Sequence, residues 1–182
     1  MFAPLLVVAL CGADDPPKKE KEAPPPDRIV LWNTHNGPEG NCGTKTANVY
    51  LLAKSGNAIW KKTAVEVPWD AKEDRNIEIP YQVKKGAKIE RIRVEITAWH
   101  QQAGGLSEIQ LYRNGELVSA DCYATASGEV SKGDRRNALT LTDGVTSSER
   151  EYHGYCLLPI GKKGWFEVDL TRDRAGDKKS NK

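Results

Sequence analysis

The chain has 182 residues, which is enough for one domain with a sizeable core and cramped for two. Its 27 Lys and Arg residues against 25 Asp and Glu give a net charge of +2, so it lacks the broad basic field that non-specific nucleic-acid binding requires. With 29% charged and 38% hydrophobic residues, the composition is that of a soluble globular protein rather than a disordered or membrane-spanning one.

The first 13 residues, MFAPLLVVALCGA, form an apolar run that is too short for a membrane-spanning helix. Small residues before Asp14 predict an export signal cleaved after Ala13, although the usual positively charged start is missing. A second interpretation makes Cys11 a lipidated N-terminal residue that anchors the protein to a membrane, but Leu10 before it is bulky for that processing. In a third interpretation the N-terminal segment has no targeting role. The favoured prediction is a secreted, periplasmic or cell-envelope protein.

Polar segments with mixed charge separate both ends of the chain from a folded body. Residues 14–27, DDPPKKEKEAPPPD, cannot bury enough apolar surface to offset the entropy of ordering them, and they predict a linker. Residues 172–182, RDRAGDKKSNK, predict a disordered tail for the same reason. The folded domain is therefore expected to span residues 28–171.

Short runs with period-two alternation predict β-strands throughout this domain. The clearest is KIERIRVEITAW, in which Ile92, Val94 and Ile96 face one side and the charged residues between them face the other. Further strands are predicted at residues 49–52, 59–62, 77–79, 109–112 and 166–170. Many short strands with frequent turns predict an all-β antiparallel sandwich or barrel.

Removing the export signal leaves three cysteines, Cys42, Cys122 and Cys156. In an oxidising compartment an odd number allows at most one intramolecular disulfide and a remaining thiol. The pairing of Cys122 with Cys156 is favoured, because both lie in strand-like sequence whereas Cys42 lies in a Gly-rich stretch.

Several motifs in this domain resemble those of one family. GGLSEIQLY, residues 104–112, resembles the "GLAEIEVY" strand that usually closes a discoidin or galactose-binding-like domain. ATAS at 124–127, ALTLTDG at 138–144, TSS at 146–148 and GWFEVDL at 164–170 resemble its opening, in the family's order "tAS…nLtDG…gW.eiDL". The resemblance covers most of the domain and implies a jelly-roll-like β-sandwich of the galactose-binding type.

The order of these motifs departs from the family pattern, because the strand that normally comes last here precedes the others. We interpret this as a circular permutation, which antiparallel sandwiches with neighbouring termini tolerate. The alternative is an exchanged domain in which the final segment completes the sheet of a neighbouring chain and so forms a dimer.

The resemblance also implies a structural calcium ion, which many relatives hold between the DG loop and the closing strand. Carried over by position, Glu108 and Asp143 supply carboxylates, Thr146 or Ser147 a hydroxyl, and residues near Ala138 backbone carbonyls. Calcium takes six to eight oxygen ligands of such mixed kinds. In the competing interpretation Asp143 caps its own turn and Glu108 is a surface charge.

Sugar-binding relatives use loops at one end of the sandwich, where an aromatic face covers a sugar ring. The segments WNTHNGPEGN, residues 32–41, and WHQQAGG, residues 99–105, offer this mixture of side chains. The candidate glycan-binding residues are Trp32, His35, Asn36, Trp99 and His100. The competing interpretation places Trp32 and Trp99 in the core, where most tryptophans of a small sandwich lie. The other tryptophans are assigned to packing: Trp60, Trp69 and Trp165.

The sequence contains no GxSxG, HExxH, P-loop or dinucleotide-binding motif, so a non-catalytic protein is predicted. The first hypothesis is an exported carbohydrate-binding or cell-surface adhesion module, whose partner is a glycan or cell-surface polysaccharide. The alternative is a structural or protein-interaction domain of the cell envelope, which offers a sheet face or strand edge to another protein. An enzyme with an unrecognised site is a third hypothesis.

Overall fold

Antiparallel β-strands make up nearly all of the regular structure. The computed structural model describes residues 27–35, 40–128, 137–146 and 154–175. In chain order its elements are β1 (Arg28–Asn33), β2 (Thr44–Leu52), β3 (Ala58–Glu66), β4 (Asn76–Pro80), β5 (Arg91–Trp99), β6 (Gly105–Arg113), β7 (Glu116–Leu117), β8 (Cys122–Ala126), a 3-10 helix (Ala138–Thr142), β9 (Cys156–Leu157) and β10 (Gly164–Asp173). Within these residues no helix has the length and apolar character needed to cross a membrane.

The strands form two antiparallel sheets that pack against each other. The first sheet has the order β4-β1-β6-β7, with β9 paired to the first residues of β6. The second sheet has the order β3-β2-β5-β10-β8. The predicted all-β sandwich is therefore confirmed, and each predicted strand coincides with an observed one, although β5 begins at Arg91, three residues after the start of the predicted segment KIERIRVEITAW.

The core lies between the two sheets and follows from the alternation of the strands. In β5, Ile92, Val94 and Ile96 are fully buried, while the charged residues between them are partly exposed. Ile109 of β6 and Phe166 of β10 belong to the same buried cluster, so both sheets contribute to one core. Since adjacent side chains of a strand point to opposite faces, the charged residues of β5 lie on the outer face of the second sheet.

The sequence analysis predicted no strand at β1 and assigned residues 32–41 to an end loop. The structure places Trp32 and Asn33 inside β1, so the loop assignment of Trp32 was wrong. β1 lies between β4 and β6, and Ile29, Val30 and Leu31 are all at most 4% exposed. A central strand that is buried on both faces reads as a continuous apolar run, which lacks the period-two signal.

The last strand belongs to the sheet of its own chain. β10 pairs with β5 on one side and with β8 on the other. In this structure the final segment therefore completes the second sheet of its own chain. The strand continues to Asp173, two residues beyond the domain limit suggested by the sequence, and Arg174 lies 3.9 Å from a carboxylate oxygen of Asp143.

All three cysteines of the domain are buried. The Cys122 thiol donates to the carbonyl oxygen of Val118 at 3.4 Å, and the Cys42 thiol donates to the side chain of Asn41 at 3.3 Å. Within the described residues there is no disulfide between Cys122 and Cys156, so the pairing favoured from the sequence is not present.

The packing of β5 gives a first test of the fold. Replacing Ile92 by Val removes one methylene group from a fully buried site, and we expect a loss of about 0.5–1.5 kcal/mol in the free energy of unfolding. Ile160→Val is the matched control, since Ile160 is 64% exposed in the turn before β10 and its truncation should leave stability nearly unchanged. Urea titration of the two variants measures the difference, and equal midpoints would contradict the assigned core.

Candidate functional site

The predicted glycan-binding tryptophans lie in different sheets. Trp32 belongs to β1 in the first sheet, and its indole N–H donates to the Gln110 side chain at 3.4 Å. Trp99 is the last residue of β5 in the second sheet and packs, partly buried, against the core. These contacts agree with the competing interpretation for Trp99 and separate the two rings, so the tryptophans do not form one end-loop surface. Asn36 lies outside the described residues.

The two predicted histidines have different surroundings. His35 is 3% exposed, and its Nε2 lies 3.8 Å from a carboxylate oxygen of Asp74. His100 stacks on Trp69, with ring centroids 4.6 Å apart and planes 12° from parallel. Burial lowers the pKa of His100, and the positive charge of Lys45 acts in the same direction. Of the predicted glycan-binding residues, His100 is the one that takes part in this stacked pair.

Trp69 was assigned to packing, and the structure gives it a defined position. Its indole N–H donates to the carbonyl oxygen of Cys42 at 2.8 Å. A side chain at Gly43 would collide with the Trp69 ring, so the close approach of ring and backbone requires glycine there. The sequence showed no local signal for the stack, because the two rings come from segments about 30 residues apart.

The predicted calcium ligands Glu108 and Asp143 lie next to each other. Glu108 projects from β6 and is 1% exposed, although it was placed on the surface in the competing interpretation. Its Oε1 accepts the backbone N–H of Gly144 at 3.1 Å. Its Oε2 is buried and has no hydrogen-bond partner within the described part of the chain. Asp143 ends the 3-10 helix, and its Oδ1 accepts the backbone N–H of Val145 at 2.9 Å.

The surroundings of this carboxylate pair raise the pKa of both groups. Burial raises the pKa of Glu108 to about 8; the Gly144 N–H opposes the rise and the neighbouring Asp143 adds to it. Burial also raises the pKa of Asp143, against the hydrogen bond from Val145. The positive charge of Arg174, 3.9 Å from Asp143, opposes both shifts, but burial outweighs it.

The donor set fits a calcium ion. A buried carboxylate oxygen without a partner is a group that a bound cation would satisfy, and calcium prefers carboxylate, hydroxyl and carbonyl oxygens. Thr146 follows the Asp143–Gly144 turn and Ala138 begins the 3-10 helix, whereas Ser147 lies outside the described residues. No cluster of three or more His, Cys, Asp or Glu side chains suited to a metal occurs in the described ranges. Most ligands beyond the two carboxylates would therefore be carbonyls, hydroxyls or water.

A second candidate site covers the outer face of the second sheet. We call this surface the platform and define it by six partly or largely buried residues of β2, β5, β8 and β10: Tyr50, Arg91, Arg93, Tyr123, Trp165 and Glu167. The antiparallel register places Tyr50 opposite Arg93, and Arg93 opposite Glu167. Asp169 lies opposite both Arg91 and Tyr123.

Two open cavities lie on the platform. One has a volume of about 400 Å³ and is lined by residues that include Arg91, Tyr123 and Glu167. The other has a volume of about 280 Å³ and is lined by residues that include Tyr50 and Trp165. Both are shallow enough to leave their walls in contact with solvent, so an extended ligand could reach them from outside.

Ion pairs hold the side chains of the platform in place. Glu167 accepts from Nη1 of Arg91 at 3.1 Å through one carboxylate oxygen and from Nε of Arg93 at 2.7 Å through the other. The Arg93 guanidinium lies 4.7 Å from the centroid of the Trp165 ring. These contacts fix the donors and the ring before any ligand binds.

Trp165 was assigned to packing, and the structure places it on the platform instead. The signal was present in GWFEVDL, where Phe166 and Val168 alternate with Trp165 and Glu167. Phe166 and Val168 are fully buried, so the other two residues must face outward.

Comparisons of this chain with protein-family models, with curated proteins and with solved structures found no match.

Proposed function

We propose that this protein is an exported carbohydrate-binding or adhesion module that holds a glycan on the platform and carries out no chemistry on it. The observation that supports the proposal is the arrangement of Trp165, Tyr50 and Tyr123 around two cavities with hydrogen-bonding side chains between them. Aromatic rings cover the apolar faces of sugars, and Arg, Asp and Glu side chains exchange hydrogen bonds with sugar hydroxyls.

Calcium belongs to the proposal as a structural ion between Glu108 and Asp143. These residues lie on the first sheet and beside the 3-10 helix, away from the platform of the second sheet. Its role would be to neutralise the carboxylate pair and fasten the Asp143–Gly144 turn to β6, and it would not contact the ligand.

Export rests on the apolar segment at residues 1–13, which lies outside the described residues. The same holds for the lipid anchor at Cys11. In either form the platform would meet glycans outside the cytoplasm.

The alternative role, binding of an envelope protein, has less support from the surface. Large exposed hydrophobic side chains within the described residues are Val145 and Ile160. The edge strand β3 carries Lys61 and Lys62 and shifts register twice against β2, features that discourage pairing with another strand.

Screening the full chain against a glycan array in calcium-containing buffer tests the proposal. We expect selective binding to one glycan class with a dissociation constant in the micromolar range, which corresponds to a binding free energy of about −8 kcal/mol. The array is repeated with a chelator, which should weaken binding only as far as it destabilises the domain. Absence of binding by protein that circular dichroism reports as folded would refute the proposal.

A further inference from the structure

We infer that the platform selects an uncharged oligosaccharide lying across the strands, and that Glu167 enforces this selection by occupying Arg91 and Arg93. The inference rests on the proposed function and specifies its ligand.

The charge lining the larger cavity is balanced. Its three cations, Lys54, Arg91 and Arg172, face three carboxylates, Glu90, Glu167 and Asp169. The smaller cavity adds Arg93 and Glu95, one charge of each sign. A surface without net charge gives no long-range attraction to either an acidic or a basic ligand.

The two cations best placed to hold an acidic ligand are already paired. Glu167 is 11% exposed and contacts both guanidinium groups, with Nη2 of Arg93 at 2.6 Å. An acidic sugar that captured Arg91 and Arg93 would leave the Glu167 carboxylate desolvated without its partners. Removing the partners of this largely buried carboxylate is costly, because its charge would be uncompensated.

Donors and acceptors remain for uncharged hydroxyl groups. Guanidinium carries five N–H donors, and Nη1 of Arg93 makes no hydrogen bond within the described residues. The Glu95 carboxylate is held by the Tyr50 hydroxyl at 3.2 Å and by the Asn48 amide at 3.0 Å, so it is fixed as an acceptor at the other cavity. Such fixed polar groups orient a ligand without adding charge to it.

The extent of the platform indicates a chain of sugars. Tyr50 lies on β2 and Tyr123 on β8, with β5 and β10 between them. Three strand spacings of about 4.8 Å separate them by roughly 14 Å. This distance exceeds the width of a single sugar ring, so a ligand that contacts both tyrosines must be an oligosaccharide that crosses the strands.

The test compares uncharged with uronate- or sulfate-bearing glycans on the same array, followed by calorimetry of the full chain with the best uncharged hexasaccharide and its monosaccharide. We expect uncharged chains to bind and the monosaccharide to bind at least about tenfold more weakly. Affinity should be nearly insensitive to salt between roughly 0.05 and 0.5 M, the range over which surface charges become screened. Preference for acidic glycans, or steep salt dependence, would overturn the inference while leaving glycan binding intact. A monosaccharide that binds as well as the hexasaccharide would overturn the crossing geometry.

Glu167→Gln tests the role of the carboxylate directly. In this variant the carboxylate no longer fixes the Arg91 and Arg93 donors, so affinity for the uncharged chain should fall about tenfold. The two guanidinium charges also lose their compensation, so acidic glycans should gain affinity. Glu78→Gln is the matched control, because Glu78 also pairs with an arginine, Arg28, but on the first sheet. If Glu167→Gln does not fold, the salt dependence of the wild type still decides. No binding to any glycan would refute the proposed function itself.

Discussion

In calcium-free buffer the free energy of unfolding is expected to fall by on the order of 5 kcal/mol as the pH rises from about 4.5 to 8. The cause is Glu108, whose pKa burial raises from 4.5 to about 8 in the folded protein. Between these values the folded state holds a proton that the unfolded state has released, so stability decreases with pH. Below pH 4.5 both states are protonated and the contribution is fully retained.

Glu108→Gln should remove most of this slope, because the amide does not titrate. Glu116→Gln is the control, since Glu116 is exposed on β7 and its replacement should leave the slope unchanged. Urea unfolding at several pH values in chelator measures the slope. Wild-type protein and Glu108→Gln with parallel pH profiles would contradict the assigned burial.

Calcium is expected to reverse the loss. At pH 7.5 millimolar calcium should raise the unfolding temperature of the wild type, since a bound ion favours the ionised carboxylates and stabilises only the folded state. The Glu108→Gln variant should gain much less. A wild-type melting temperature that calcium leaves unchanged would refute calcium binding at this pair without affecting the platform.

The sequence predicted the parts of the fold that depend on local alternation. β5 was identified because Ile92, Val94 and Ile96 alternate with charged residues, and only one face of the strand is buried. β1 was not predicted, because the strand is buried on both faces at Ile29, Val30 and Leu31 and therefore shows no alternation of apolar and polar residues.

The functional surfaces depend on pairing between distant segments, which a single sequence reveals poorly. The outward position of Trp165 could have been inferred from the alternation in GWFEVDL, but its proximity to Arg93 depends on the pairing of β10 with β5. The stack of His100 on Trp69 joins two loops in the same way. The proximity of Glu108 to the Asp143–Gly144 turn was anticipated only through the family resemblance, since the two lie over 30 residues apart.

Trp165→Ala is expected to weaken glycan binding at least about 30-fold. This corresponds to a loss of roughly 2 kcal/mol in binding free energy, which is typical when a central aromatic contact is removed. The ring is held by Arg93 before binding, so its truncation removes both the stacking surface and a support of the guanidinium. Trp165 lies on the outer face, and the unfolding midpoint should change far less than binding does. Trp165→Phe should restore part of the affinity, because it keeps an aromatic face.

The matched variants are Trp69→Ala and His100→Ala, which dismantle the stacked pair in the end loops. If the ligand lies on the platform, both should bind the glycan about as well as the wild type. If instead these two lose affinity while Trp165→Ala retains it, the glycan binds in the end loops, where the sequence first placed it. Because the stack and the platform share no residue, the variants separate the two locations even if the ligand is known only by class.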